Sequence, residues 1–190
     1  MSPSWLWSVA LLFAAASWGG HAAPTFNVTE AVNFADRTWN CDGNSPPCHR
    51  CRTVSSGSTQ DPYGCAPYVA HCLAAGGLVK ADKCGDEGQY DGVKLGGMEY
   101  NLNVVAHQDP NCGQGNLCLL DYLKALGWRR TDVVRAGTVC AVVGEDNGQP
   151  VPYGHVVFGV AHDVVNAHNV AEYHRPIGDY TINECIMASA

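Results

Sequence analysis

Positive charge is scarce in this chain. Its 190 residues include 11 lysines and arginines against 18 aspartates and glutamates, which gives a formal net charge of −7. No run of basic residues is longer than the pair Arg129-Arg130. Because nucleic acids and anionic membranes are held mainly by clustered Lys and Arg, we expect neither as a partner.

Charged residues are absent from the first 22 positions, and no second long hydrophobic segment follows. Residues 5–16 form a mostly apolar run that is too short to span a bilayer and that ends near small residues. This pattern predicts a secretory signal peptide over residues 1–22, cleaved after Ala22, and one domain over residues 23–190. We therefore expect a secreted, extracellular protein with no membrane attachment.

The chain also lacks the residue patterns of two common kinds of active site, a zinc site and a glycosidase carboxylate pair. Cys48-His49-Arg50-Cys51 is not followed by a second Cys-x-x-Cys or by a His pair, so a zinc site is not indicated and we expect neither metal nor cofactor. The chain has no closely spaced carboxylate pair of the kind that glycosidases use. It also has no internal repeat and no domain linker.

Cysteine, in contrast, is abundant: the chain has ten, all beyond the predicted cleavage site. In an oxidising compartment this number predicts several disulfides. If Cys65 stays a thiol, an odd number remains, and a second cysteine must also stay out of the bridges. Cys72 is the candidate, since it lies two turns further along the same helix face. Eight cysteines would then form four bridges of unassigned connectivity: Cys41, Cys48, Cys51, Cys84, Cys112, Cys118, Cys140 and Cys185.

Cys65 lies near the start of a predicted helix. Asp61 suits the N-cap, Pro62 suits the first helical position, and Gly76-Gly77 ends the segment. A thiol in a first helical turn faces open backbone N–H groups and the positive end of the helix dipole, and both favour the thiolate. The thiolate is the nucleophilic form of cysteine, so Cys65 is a candidate nucleophile.

A histidine follows at the start of a later apolar strand. His155 opens the segment 155–160, and the order Cys, then His on a strand, is that of a cysteine hydrolase. If Ala161-His162 is a two-residue hairpin loop, His168 lies opposite His155. If the loop has three residues, Asn169 lies there instead. Either side chain can orient an imidazole, and we prefer His168.

The remaining pattern predicts an α+β domain. The expected elements are a helix over 29–40, a stapled surface loop over 41–60, the Cys65 helix, a long loop region over 78–114 with at most a strand at 103–106, a helix over 117–126, and strands at 139–143, 155–160 and 164–168. The last strands are expected to form an antiparallel meander. Asn27-Val28-Thr29 is a glycosylation sequon.

Five segments in this order resemble a known family. They are Ala31-Val32-Asn33-Phe34-Ala35-Asp36-Arg37-Thr38-Trp39, the Cys65 helix ending Leu73-Ala74-Ala75-Gly76-Gly77, Leu123-Lys124-Ala125-Leu126-Gly127-Trp128, Gly154-His155-Val156-Val157 and Ala167-His168-Asn169. Together they look like the amidase domain of the NlpC/P60-type papain-like cysteine hydrolases, over about residues 30–180. The resemblance implies a papain-like α+β fold, in which N-terminal helices, the nucleophile helix among them, pack on a C-terminal antiparallel sheet with disulfide-stapled loops.

The resemblance also implies an activity, which is hydrolysis of amide bonds in bacterial cell-wall (peptidoglycan) peptides or another amide substrate through a thioester. Cys65 would be the nucleophile, its backbone N–H would meet the oxyanion, and His155 would be the general base and acid. His168 or Asn169 would orient His155. Tyr63 and Tyr68 would line the substrate groove.

This chain departs from the family pattern on both sides of the nucleophile. Gly64 and Ala66 stand where Asp and then Ser or Thr are usual. These departures keep two alternatives open: a non-catalytic, disulfide-stabilised binding module or effector on the same fold, and an acyltransferase. We expect a monomer in each case.

Overall fold

The structure is a computed structural model that describes residues 25–39, 64–79, 90, 92–106, 117–146, 148–168 and 172–189. Within these ranges it has three α-helices and nine β-strands. The helices are α1 (Val28–Thr38), α2 (Cys65–Ala75) and α3 (Leu119–Ala125). The strands are β1 (Val93–Leu95), β2 (Met98–Asn101), β3 (Leu117–Cys118), β4 (Arg129–Arg130), β5 (Val139–Asp146), β6 (Gln149–Ala161), β7 (Val164–Ala167), β8 (Glu172–Pro176) and β9 (Ile182–Met187).

Helix α1 confirms the first predicted helix. Its N-cap is Asn27, whose Oδ1 accepts a hydrogen bond from the backbone N–H of Glu30 at 3.2 Å. Such a bond satisfies one of the N–H groups that a helix start leaves without a helical acceptor. The side chain of Asn27 is exposed, and its glycosylation stays a prediction.

Helix α2 begins later than predicted. Its N-cap is Gly64, so the predicted cap at Asp61 is wrong, and Cys65 is the first helical residue. The predicted stop is confirmed: Gly76 is the C-cap, and Gly77 follows with φ +80°, a conformation that glycine adopts without steric cost. Pro67 is the third helical residue, where a backbone N–H has no helical acceptor in any case.

Six strands form the larger sheet, in the order β4-β9-β5-β6-β7-β8. Every neighbouring pair in it is antiparallel, which confirms the predicted meander and extends it by strands that the sequence did not indicate. Strands β1 to β3 form a second, smaller sheet. These elements confirm the α+β class.

The prediction that residues 78–114 hold at most one strand, at 103–106, is wrong. Strands β1 and β2 lie just before that segment and form an antiparallel hairpin, in which Leu95 pairs with Met98. The turn is Gly96-Gly97, with φ of +59° and +82°. A two-residue Gly-Gly turn fits the right-handed twist of a hairpin, so the glycines that indicated a loop instead join two short strands.

The larger sheet buries apolar side chains on both faces. On one face α1 and α2 pack over β5 and β6 and complete the main core, whose sheet residues include Val139, Ala141, Val156, Phe158 and Val160. We call this the helix face. The opposite face carries a smaller cluster, Val134, Cys140, Val142, Val157, Val165, Ala167, Ile177 and Cys185, with Tyr180 packed against it. Neighbouring residues of a strand point to opposite faces, so this division assigns each side chain of the site to one face.

A disulfide joins two directly paired strands. Cys140 of β5 is opposite Cys185 of β9, and their Cα atoms are 4.0 Å apart. The bond closes a loop with a sequence separation of 45. In the chain-entropy account, a loop of this length restricts the unfolded state by about 4 kcal/mol.

The double variant Cys140→Ala/Cys185→Ala should therefore lose about 4 kcal/mol of unfolding free energy. Urea unfolding of the oxidised protein measures this loss. A rise in the m value would indicate that the effect comes from a more expanded unfolded chain. A loss below about 1 kcal/mol would contradict the prediction.

No helix among the described residues is long and apolar enough to cross a membrane.

Candidate functional site

Cys65 is the first residue of α2 and is present as a thiol. Cys72 is also a thiol, so the prediction that these two cysteines stay out of the disulfides is confirmed. Cys118, Cys140 and Cys185 are disulfide-bonded, as predicted. The other cysteines predicted to form bridges lie outside the described residues: Cys41, Cys48, Cys51, Cys84 and Cys112.

The backbone around Cys65 has the polarity that a thiolate requires. The first helical hydrogen bond of α2 runs from the N–H of Tyr68 to the carbonyl of Gly64, at 3.0 Å. The N–H groups of Cys65 and Ala66 come before it, where a helix supplies no acceptor and where the positive end of its dipole lies. Negative charge is stabilised at such a position, both on a thiolate and on an oxyanion formed from a carbonyl.

Both thiols are buried, Cys65 at 9% exposed and Cys72 at 0%, but only Cys65 lies at the helix start, and Cys72 lies in its interior. Cys72 is fully buried, and burial raises the pKa of its thiol well above the usual range. A hydrogen bond with Tyr68 opposes that pKa shift without cancelling it. Cys72 is therefore a packing residue, and Cys65 is the thiol with nucleophilic potential.

We expect iodoacetamide to label Cys65 at least about a hundredfold faster than Cys72 at mildly acidic pH, since only the thiolate reacts and only Cys65 lies at a helix start. Peptide mapping of the unreduced protein after brief labelling measures both rates. The two cysteines serve as each other's control because they share one helix. Equal labelling, or a Cys65 recovered in a disulfide, would contradict the prediction.

His168 lies on the helix face, beside α2. It is 6% exposed, and its ring stacks on that of Tyr68 with centroids 5.8 Å apart and planes inclined by 28°. Tyr68 is one helical turn after Cys65. Side chains on a helix lean toward its N-terminus, so the Tyr68 ring and the imidazole on it lie toward the turn that contains Cys65.

His155 lies on the opposite face. It pairs across the strands with Val142, a residue of the smaller cluster, and its ring stacks on Tyr180 at 6.5 Å. Burial, with a smaller contribution from the nearby His168, lowers the pKa of His155 to about 4. At neutral pH this imidazole is uncharged, and the sheet separates it from the helix face.

The register of the β6–β7 hairpin explains this separation. The loop is His162-Asp163, not Ala161-His162, and Asp163 has φ +55°. Phe158 pairs with Asn166, and continuing this register along β6 puts His168 level with Val156. The prediction that His168 lies opposite His155 is therefore wrong, because a shift of one residue moves a side chain to the other face. The alternative partner, Asn169, lies outside the described residues.

Tyr68 does not line a groove as predicted. It is 1% exposed, and its hydroxyl donates a hydrogen bond to the carbonyl of Ala35 in α1 at 3.0 Å. Burial raises the pKa of this phenol well above its usual value. Tyr68 therefore joins α2 to α1 and supports the His168 ring. Tyr63, the other predicted groove residue, lies outside the described residues.

A polar network near His168 was not predicted. Asn166 donates from Nδ2 to Asp36 Oδ1 of α1 at 2.9 Å, and its Oδ1 accepts from the backbone N–H of His174 at 2.8 Å. His174 Nε2 lies 3.1 Å from the same Asp36 oxygen. The network ties β7 and β8 to α1. Its central residue, Asn166, lies two residues before His168 in the sequence. The sequence feature that could have indicated this network is Asn166, an amide inside the apolar strand Val164-Val165-Asn166-Ala167, since a buried amide needs hydrogen-bond partners.

Comparison with protein-family models, with curated proteins and with solved structures finds no match for this chain. The described residues also contain no group of three His, Cys, Asp or Glu side chains arranged to hold a metal ion. The site therefore consists of a thiol at a helix start and a histidine whose ring stacks over that helix.

Proposed function

We propose that this protein is a secreted cysteine amidase or peptidase, with a papain-like arrangement of the NlpC/P60 type, that hydrolyses amide bonds in bacterial cell-wall peptides. One observation carries the proposal: Cys65 is a thiol in the first position of a helix that packs on an antiparallel sheet, and His168 of that sheet stacks over the same helix. A helix start and an adjacent imidazole are the two features that activate a cysteine.

The geometry favours a different division of roles from the one that the sequence indicated. His155 was the expected base, but it lies on the far face of the sheet, whereas His168 lies on the helix face with Cys65. We therefore assign the general base and acid to His168. His155 then has an electrostatic interaction with His168 and no assigned part in the proton transfers.

The reaction follows from these positions. His168 takes the proton of the Cys65 thiol, and the thiolate sulfur attacks the carbonyl carbon of the scissile amide. The oxyanion forms at the start of α2, near the N–H groups of Cys65 and Ala66. His168 then gives the proton to the leaving amine, which leaves a thioester on Cys65. Water, deprotonated by His168, attacks that thioester and releases the carboxylic acid and the thiol.

Several features support an exported enzyme. The uncharged, largely apolar segment at 1–22 fits a secretory signal, and the Cys140–Cys185 bridge fits an oxidising compartment. A net charge of −7 gives no general attraction to anionic cell-wall polymers, so recognition would have to come from local contacts with the peptide.

The test is digestion of purified peptidoglycan by the mature, oxidised protein. New amino and carboxyl termini, identified by mass spectrometry of the released fragments, would support the proposal and locate the bond. Unchanged muropeptides under conditions in which Cys65 reacts with iodoacetamide would count against cell-wall peptides as the substrate. Unchanged muropeptides together with an unreactive Cys65 would count against any hydrolase.

The second candidate is a non-catalytic binding module on the same fold. The separation of His155 from the helix face favours it, since the predicted three-residue constellation is not assembled on one face. This candidate requires that replacement of Cys65 leave ligand binding intact and that no thioester form.

A further inference from the structure

A cavity lies on the sheet face away from α2. Its volume is about 590 Å³, and its lining includes His155, Glu172, Asp179 and Tyr180. Tyr180 packs against the smaller apolar cluster, whereas Cys65 belongs to the core on the helix face. The cavity is therefore separate from the proposed catalytic site, and what it binds does not depend on that proposal.

Two buried oxygen atoms at this cavity have no hydrogen-bond partner among the described residues, Glu172 Oε2 and the Tyr180 hydroxyl. The Glu172 side chain is only 10% exposed. Its other oxygen, Oε1, pairs with Arg175 Nη1. A buried carboxylate oxygen without a donor is costly and uncommon in native proteins, so a ligand that supplies a donor is expected here.

The charges around the cavity determine whether it favours a cationic or an anionic ligand. Glu145, Glu172 and Asp179 line it, and Arg175, which contacts Glu172 and lies 3.1 Å from Asp179 Oδ2, is the compensating cation. Three carboxylates and one guanidinium leave an excess of two negative charges. Anionic ligands are disfavoured on this ground.

The ring of Tyr180 is already in contact on its faces: the Arg175 guanidinium carbon lies 5.4 Å from its centroid, and the ring stacks on that of His155. The Tyr180 hydroxyl is therefore the group that this side chain offers to a ligand. The described residues offer no group of three metal ligands. An organic cation with N–H donors therefore fits the cavity better than a metal ion does.

We propose that this cavity binds a primary ammonium group, as found in a diamine, a lysine side chain or a peptide amino terminus, with Glu172 Oε2 as the principal acceptor. The Tyr180 hydroxyl offers a second hydrogen bond. The cavity volume leaves room for a short chain behind the amine.

The probe is cadaverine, a diamine, and the matched neutral control is the diol of the same chain length. Both are titrated into the mature, oxidised protein while the ring signals of His155, which lines the cavity, are followed by NMR. Cadaverine should shift these signals to saturation and the diol should not. No shift with cadaverine, or equal shifts with both compounds, would overturn the proposal.

Three variants test where the ammonium group binds. Glu172→Gln should weaken cadaverine binding by about tenfold to a hundredfold, because it removes the charge that receives the ammonium group and nearly preserves the shape. Glu99→Gln, which removes the same charge from an exposed ion pair with Lys94, is the control and should leave the affinity unchanged. Equal losses in the two variants would show non-specific attraction and overturn the assignment. Tyr180→Phe should give a smaller loss than Glu172→Gln.

Discussion

Cys65→Ala should lower the rate of cell-wall peptide hydrolysis by at least about 10⁴-fold. Alanine keeps the helix start and removes only the sulfur, so the first step has no nucleophile and no thioester forms. The remaining donors at the start of α2 can still polarise a carbonyl, which accounts for any residual rate. The measurement is release of new amino termini from purified peptidoglycan, together with the mass of trapped acyl-enzyme.

Cys72→Ala is the matched control for this variant. It removes a thiol from the same helix, seven residues on, where the side chain is fully buried. We expect a loss of stability from packing and a rate within about threefold of the wild type, since burial keeps this thiol protonated. Thermal unfolding of both variants shows which losses come from folding. Full activity in folded Cys65→Ala would refute the hydrolase proposal.

The sequence predicted those features of the site that depend on local rules. A thiol in the first helical turn of α2, a stop at Gly76-Gly77 and two cysteines outside the bridges follow from helix punctuation and from cysteine parity. The helix stop depends on neighbours within a few residues, and the parity argument depends only on the number of cysteines, so neither requires knowledge of tertiary packing.

The sequence did not predict on which face of the sheet each histidine lies. That depends on hairpin register, and here the register depends on Asp163, which adopts φ +55° at the loop, and on an irregularity between Gly159 and Ala161. Asp tolerates this left-handed conformation, but it is no strong turn signal without a following glycine. Loops of two and three residues were therefore both open in the sequence, and the preference for His168 rested on no strong turn signal.

The backbone irregularity next to His155 could not be predicted from the sequence either. The pairing of β5 with β6 shifts between Val142 and Gly144, beside the Val142–His155 pair. A Cβ on Gly144 would lie 2.7 Å from the carbonyl carbon of Gly154, so the two strands approach there as closely as only glycines allow. Glycine inside a strand pattern is a known sign of a bulge, but two such glycines do not say which side chain the bulge redirects.

Because His155 and His168 lie on opposite faces of the sheet, we expect their substitutions to differ greatly in their effect on the hydrolysis rate. His168→Gln should lower the hydrolysis rate by about 10⁴-fold, because it removes the imidazole that lies over α2 and exchanges protons with Cys65 and the leaving amine. His155→Gln should keep the rate within about tenfold, since its ring is on the far face beside Tyr180. The two variants are each other's control, as both replace a substantially buried imidazole by an amide. Equal thermal unfolding midpoints would establish that folding is not the cause.

The pH dependence separates the two histidines independently of mutation. Burial lowers the pKa of His155 to about 4. A general base is active only when unprotonated, so a mechanism based on His155 would keep kcat/KM level as the pH falls and lose it only near pH 4. The same acid limb in wild type and in His155→Gln would assign that limb to another group, as the His168 mechanism requires. An acid limb near pH 4 that disappears in His155→Gln would instead return the base to His155 and refute the His168 mechanism.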